Sequence, residues 1–238
     1  LLLDVTEQEH REQLRREFTS NVSHEMKTPL TAIHAIAGML VQDVIEPKDV
    51  KKFAGDIYHE SSRMIALVND TLRRSRMDAQ AVTEQKEPVD LYDLAEGVIA
   101  RLRVAAGGKQ VSFSLTGTHV MVSGVYSMLE EMLYNLCDNG IKYNHEQGTV
   151  TVSVLAAGRK GVLMVQDTGI GIPPEDQDRI FERFYRVDKS HSRAIGGTGL
   201  GLSIVKHTAA YHNAQVLVSS KPGEGSTFTV IFPETLEC

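Results

Sequence analysis

Three short groups of residues have the types and spacing that chemistry requires. The first is His24 with Glu25 beside it and Thr28 four positions on, in FTSNVSHEMKTPLTAI. At about 100° per residue of helix, His24 lies about 180° from Ile33 and its apolar stripe, and so faces solvent. Glu25 can accept the Nδ1 proton, which leaves a lone pair on Nε2. An exposed imidazole held in that tautomer is a nucleophile awaiting an electrophile. Thr28, one turn further along, has a hydroxyl that can orient a water without acting as a base. The second group is Glu131, Asn135 and Asn139 in YSMLEEMLYNLCDNGIKYN, at successive steps of four. Such steps form one polar row on a helix, while Met132, Leu133 and Leu136 point to a core. Carboxamide oxygens are hard ligands that suit Mg²⁺ together with phosphate oxygens and waters, and Lys142 near the same face can meet a phosphate. A solvated helix face with a capped end would look similar.

The third group is VLMVQDTGIGIPPE, in which an apolar strand delivers Asp167 and then Gly169 and Gly171. A buried carboxylate at a strand end accepts a hydrogen bond from an exocyclic amine such as adenine N6, and it disfavours guanine, which presents an oxygen there. A β-turn with Asp at its first position is the plainer alternative. Further on, AIGGTGLGLSIVK puts Gly196, Gly197, Gly199 and Gly201 ahead of a helix, where backbone amides bind anions. It lacks the ending of a P-loop and follows no strand directly, so neither a Walker nor a dinucleotide-binding motif applies.

These groups need elements to hold them. From Glu7 the chain is rich in helix formers, with Val22, Met26, Leu30, Ile33, Ala37, Leu40 and Val44 forming an apolar stripe. Pro47 interrupts it, and a second helix carries Ile57, Met64, Ile65, Val68 and Leu72 to near Met77. Such a hairpin cannot cover its own stripes, so a second copy completing a four-helix bundle is expected. Residues 79–88 read as a linker. From Val89, helices at 91–104, 126–143 and 200–212 mix with the strand-like runs VSFSL, HVMVS, TVTVSVLA, GVLMVQD, QVLVSS and STFTVIF. That mixture implies an α/β sandwich, with a sheet in one layer and helices in the other.

Composition narrows the function classes. The chain has 238 residues, 42% apolar and 24% charged, which excludes disorder and collagen-like repeats. With 25 Lys and Arg against 31 acidic residues, the formal charge of -6 argues against bulk binding to nucleic acid or to an anionic membrane. Cys137 and Cys238 are too few for a disulfide or zinc framework, so a reducing compartment fits. No run reaches the roughly 18 apolar residues of a membrane span.

The order of the motifs resembles the sensor histidine kinases of two-component signalling over essentially the whole chain. SHEMKTPL is similar to that family's H box, NLCDNGIKYN to its N box and DTGIGIP to its first glycine box. IFERFYRVD resembles the F box, GGTGLGLSIVK the second glycine box, and GEGSTFTVIFP the closing glycine segment. The resemblance implies a fold: an α hairpin forming a dimeric four-helix bundle, then an α/β sandwich ATP-binding domain of the gyrase, Hsp90, histidine kinase and MutL type. The corresponding ranges are 1–6 for the end of a truncated PAS-like domain, 7–78 for the dimerisation and phosphotransfer hairpin, 79–88 for the linker and 89–238 for the catalytic domain.

The resemblance also implies roles. His24 is the phosphoacceptor, Glu25 its proton-handling neighbour, and Thr28 the residue for dephosphorylating a regulator. Asn135 is the Mg²⁺ ligand, Asn139 and Lys142 contact phosphates, Tyr143 packs near the base and Asp167 holds adenine N6. Gly169, Gly171, Arg186, Gly197, Thr198, Gly199, Leu200 and Gly201 complete the nucleotide site. ATP and Mg²⁺ are the implied cofactors, and a second copy and a response-regulator receiver domain the implied partners. Neither nucleic acid nor membrane contact is expected of this stretch, which would be the cytoplasmic portion of a parent that can be anchored in a bacterial membrane. Two departures from the family pattern are Gly140, where Ala is usual, and Cys137, where Leu is common. Two rival readings remain at this point: an ATP-hydrolysing conformational switch of the same nucleotide-binding fold, in which Glu131 activates water, and a non-catalytic dimeric interaction module.

Overall fold

Helix α1 covers residues 26–41, and its end follows from local chemistry. Asp43 adopts a left-handed conformation (φ 53°), Val44 N–H donates to the Met39 carbonyl, and Asp43 N–H donates to that of Leu40. This is the paired-bond helix stop normally made with glycine, here made with aspartate, one of the few other residues that tolerate φ > 0. Asp49 then opens α2, which is helical at 50–62, 64, 65 and 68. The computed structural model describes residues 26–62, 64, 65, 68, 85–183, 185–187 and 199–236. The chain divides into two compact units, one running to Ser75 and the other built from Arg76 onward.

Within the first unit the expected stripe is only partly covered by the single chain. Met26, Ile33, Ala37 and Leu40 are half-buried, but Leu30 is 54% exposed and Val41 84% exposed. Val44, Tyr58 and Ile65 are exposed as well. One helix pair buries one strip per helix, which leaves a second apolar strip on each uncovered. Val22, Leu72 and Met77 lie outside the described residues.

The second unit is the expected α/β sandwich. Its elements are β1 (Glu87–Asp90), α3 (Leu91–Gly107), β2 (Ser112–Gly117), β3 (Met121–Gly124), α4 (Tyr126–Lys142), β4 (Thr149–Ala157), β5 (Lys160–Asp167), α5 (Gly201–Tyr211), β6 (Gln215–Lys221) and β7 (Gly225–Phe232). A short 3-10 turn, Pro174–Asp176, follows β5. The main sheet runs β2-β4-β5-β7-β6, and β1 pairs with β3 in a separate ribbon. Among the described strands only β2 and β4 pair in parallel, and α4 lies in the crossover between them. The strands alternate, so Val150, Val152 and Val154 of β4 turn to the helices with Leu163, Val165, Phe228 and Val230. Against them pack Leu94, Val98 and Leu102 of α3 and Met132, Leu133 and Leu136 of α4. β1 is an element that the sequence pattern does not show: EPVD is four residues long, contains Pro88 and sits where a linker is expected. Asp90 ends it and caps α3, accepting from Tyr92 N–H at 2.8 Å. Among the described residues no helix is long and apolar enough to cross a membrane.

Candidate functional site

α4 is the spine of the candidate site. Its core-facing Met128, Leu129, Met132, Leu133, Leu136 and Ile141 are buried, while Glu131, Asn135, Asn139, Lys142 and Tyr143 are half-buried along its flank, as the spacing requires. Asn135 Nδ2 donates to the Glu131 carbonyl at 2.8 Å. The amide nitrogen is thus spent within the helix, and Oδ1 faces outward. That oxygen is turned to the start of α5, where a Cβ added at Gly201 would come within 3.0 Å of it. Lys142 Nζ pairs with Asp138 at 2.6 Å, one turn back. Lys109 Nζ donates to the Lys142 carbonyl at 2.5 Å and satisfies a carbonyl of the helix's last turn.

The N-terminus of α5 is the second component. Its N-cap is Leu200, and among the described residues no side chain caps it and its first turn holds no acid. The Ser203 hydroxyl donates back to the Leu200 carbonyl at 2.7 Å and so does not compete for the leading amides. A helix N-terminus carries partial positive charge suited to an anion. Gly199, at φ 73°, makes the bend that leads in. The carboxamide oxygen of Asn135 fits a divalent cation, and the amides fit the phosphate oxygens that would share that cation.

Asp167, at the end of β5, is the third component. Its neighbours in the ladder are Val150 on β4 and Ser226 on β7. Oδ1 accepts from Gly169 N–H at 2.8 Å, and the backbone amides of Gly169 and Ser226 favour its charged form. Burial nevertheless dominates and holds this carboxyl above the ordinary aspartate range. A carboxylate in that position is strongly stabilised by a further donor. The loop beyond it is pressed against α4: Ile170 N–H donates to the Tyr143 carbonyl at 3.0 Å, and a Cβ at Gly169 would collide with that same carbonyl oxygen. Gly171 has φ 70° and backs onto the Lys221 carbonyl, so no other residue fits there. Gly140 lies under Asp167, where a Cβ would come within 3.0 Å of Val150 Cγ2 and 3.6 Å of Asp167 Cβ.

Asn135, Tyr143, Asp167, Gly169, Gly199, Leu200 and Gly201 are therefore gathered along α4, the strand end and the start of α5. Asn139 continues the same flank, and Arg186 is half-buried beyond the 3-10 turn. Thr28 belongs to the first unit and lies exposed on α1, after which Pro29 is buried. His24, Glu25, Gly197 and Thr198 lie outside the described residues. Two side chains that the motifs do not single out hold the site together. Asn144 bonds the loop that carries Asp167, and His212 joins the end of α5 to the start of α4. The pattern YN after a helix is the only sequence signal for Asn144, and His212 has none.

Two family models match the chain: the His Kinase A (phospho-acceptor) domain over residues 14–80 and the Histidine kinase-, DNA gyrase B-, and HSP90-like ATPase over residues 124–236. The sensor-like histidine kinase SenX3 of Mycolicibacterium smegmatis is 39% identical over 232 residues, covering 97% of this chain and 60% of that protein. The phosphate regulon sensor protein PhoR of Pseudomonas aeruginosa is 36% identical over 235 residues, covering 98% of this chain and 53% of PhoR. The chain thus spans about 60% or less of these relatives' lengths. Among solved structures, a mycobacterial sensor histidine kinase, MprB, superposes with TM-score 0.56 at 29% identity, covering 63% of this chain and 97% of that one. The histidine kinase ThkA, in complex with the response regulator protein TrrA, superposes with TM-score 0.71 at 22% identity, covering 94% of this chain and 64% of that one, a likeness of fold.

Proposed function

We propose, for a chain that belongs to the sensor histidine kinases of two-component signalling, that it binds Mg·ATP along α4, phosphorylates His24 and passes the phosphoryl group to an aspartate of a response regulator. The observation that carries this reading is the convergence on one helix flank of Asn135 Oδ1, the glycine-led start of α5 and the half-buried Asp167 carboxylate. Asp167 accepts from adenine N6, Tyr143 lies beside the base, and the amides at Gly199 and Gly201 receive phosphate oxygens with Asn139 and Lys142. Gly197 and Thr198 extend that cradle, and Arg186 serves the same nucleotide.

Asn135 Oδ1 would hold the Mg²⁺, which when bound supplies positive charge to the β- and γ-phosphate oxygens. His24 Nε2 donates its lone pair to the γ-phosphorus. The N–P bond forms as the bond from that phosphorus to the bridging oxygen breaks, and ADP leaves with the electron pair. Glu25 holds the Nδ1 proton throughout. Positioning and charge neutralisation account for most of the acceleration in such a transfer.

The chain acts as a homodimer through its hairpin. The exposed Leu30, Val41, Tyr58 and Ile65 supply apolar area for that contact. Thr28, exposed on α1, orients a water when the same protein dephosphorylates its regulator. The domain ranges 7–78 and 89–238 are the corresponding functional halves, and both act in the cytoplasm. The test is a two-stage transfer. The chain is incubated with γ-labelled ATP and Mg²⁺, freed of nucleotide, and mixed with a receiver domain. Label that leaves the chain for the receiver, and that fails to move to a receiver whose acceptor Asp is replaced by Asn, is the expected result. Release of inorganic phosphate with no labelled chain at any time would instead favour the hydrolytic switch.

A further inference from the structure

Asn144 is the most completely bonded polar side chain near the candidate site. It is 8% exposed, just past the end of α4. Its Nδ2 donates to the Gly140 carbonyl at 2.9 Å and to the Thr149 carbonyl at 3.0 Å. Its Oδ1 accepts from His145 N–H at 3.0 Å and from the Thr168 hydroxyl at 3.1 Å. A carboxamide has two donors and two acceptor sites, and all four are used. The four bonds reach three elements: the last turn of α4, the first residue of β4 and the residue that follows Asp167. The Thr168 hydroxyl in turn accepts from Thr149 N–H at 2.9 Å, so the two side chains form one clasp. Gly148 closes it from the other side, since a Cβ there would collide with Asn144 Oδ1 and come within 3.0 Å of Thr168 Oγ1.

We propose that Asn144, through Thr168, is a positioning residue that fixes Asp167 relative to the end of α4 and thereby sets discrimination between adenine and purines lacking the exocyclic amine. This rests on the reading that Asp167 receives adenine N6. Tyr143 precedes Asn144 in the chain, and Asp167 precedes Thr168, so the clasp joins the immediate neighbours of two residues assigned to the base. Truncating Asn144 to alanine takes away the side-chain partner of the Gly140 carbonyl and of the His145 N–H and the acceptor of the Thr168 hydroxyl, which keeps its bond from Thr149 N–H. The Asp167 loop then relaxes. A hydrogen bond to the base is lost with displacements well below the size of an atom, whereas the phosphate-facing amides at Gly199 and Gly201, and Asn135 more than two turns back along α4, lie outside the clasp and persist.

The test uses the full chain and displacement of a fluorescent ATP analogue by ATP and by inosine triphosphate, whose base presents an oxygen in place of the amine. In the unsubstituted protein ATP binds more tightly than inosine triphosphate, and Asp167→Asn removes most of that ratio. In Asn144→Ala the ratio is expected to fall at least fivefold, with inosine triphosphate affinity held within about twofold, and Asn144→Ser is expected to recover part of it. Thr168→Val, at an exposed position, deletes the hydroxyl's bonds to Asn144 and from Thr149 N–H and carries the test if Asn144→Ala does not fold. Equal loss of both affinities in Asn144→Ala and Thr168→Val, or an unchanged ratio in both, would overturn the role of Asn144. An unsubstituted protein that binds both nucleotides equally, or Asp167→Asn with its ratio intact, would instead overturn the Asp167 reading on which it stands.

Discussion

His212 ties together the two helices that carry the candidate site, and its removal has a calculable cost. Its Nδ1 lies 2.7 Å from the Thr208 carbonyl, which can only accept, so Nδ1 carries the proton. Nε2 is then the acceptor for Val125 N–H at 3.0 Å, at the residue that caps α4 without a side-chain bond of its own. Val125 has no solvent exposure, so in His212→Ala its amide is left unpaired at about 1–3 kcal/mol. The lost packing of a buried ring adds about 1–2 kcal/mol. A total near 3 kcal/mol lowers the melting temperature of a unit of this size by roughly 6–12 °C. Acid has a related effect. Burial and, more weakly, the Lys86 ammonium push the His212 pKa below the ordinary 6.5, against the opposing pull of the Thr208 carbonyl. The unfolded chain therefore takes up this proton first. The stability it contributes is present above about pH 6.5 and lost as pH falls toward the lowered folded value, at no more than about 1.4 kcal/mol per pH unit. The assay is a pair of melts at pH 7.5 and 5.5 for the wild type and His212→Ala, following the ATP-binding unit. The variant is expected to melt lower at pH 7.5, with the gap narrowing at pH 5.5. A gap that stays constant with pH, or a variant melting within 2 °C of the wild type at pH 7.5, would refute the tautomer and the burial cost together.

Four further outcomes are expected. Asp167→Asn weakens ATP binding by about tenfold or more in displacement titrations, the cost of a lost charged hydrogen bond. Because the folded pKa of Asp167 is raised, its protonation favours the fold, and melts should show the wild type gaining on Asp167→Asn as pH falls from 7 toward 4. Gly201→Ala places a methyl group 3.0 Å from Asn135 Oδ1 while improving helix propensity by up to about 1 kcal/mol. Calorimetric titration should therefore show ATP affinity falling about tenfold with Mg²⁺ and little with EDTA, in a chain that melts no lower. Thr28→Ala slows decay of the phosphorylated regulator at least tenfold more than it slows autophosphorylation, as paired time courses would show; equal slowing of both would assign Thr28 only to the bend at Pro29.

Elements with a clear period were legible in the sequence, and those whose partners lie far along the chain were not. The runs read as β4 and β5 fall within one residue of the observed strands, because alternation reports a half-buried sheet directly. α3 continues to Gly107, past the expected Val104, since Ala105 and Ala106 are good helix formers and nothing stops the helix before the glycine pair. β1 exists because β3 pairs with it across more than thirty residues, which no local pattern reports. The row from Glu131 to Asn139 and the delivery of Asp167 by its strand both hold in the structure, because each depends on a single element. Asn144 and His212 escaped notice because their roles depend on Thr168 and Val125, brought to them only by the sheet and by helix packing. Of the stripe expected on the first helix, Met26, Ile33, Ala37 and Leu40 are half-buried, Leu30 is exposed and Val44 lies past the end of α1, because a stripe does not say where the helix stops or which chain buries it.

The most direct measurement for the whole proposal is ³¹P NMR of the intact chain after incubation with Mg·ATP, paired with treatment of the product by acid and by alkali. A phosphoramidate resonance that survives alkali, disappears in acid and is absent from His24→Gln is the expected result. A resonance that persists in His24→Gln, or a phosphoryl group that survives acid, would contradict the transfer of the γ-phosphoryl group to His24.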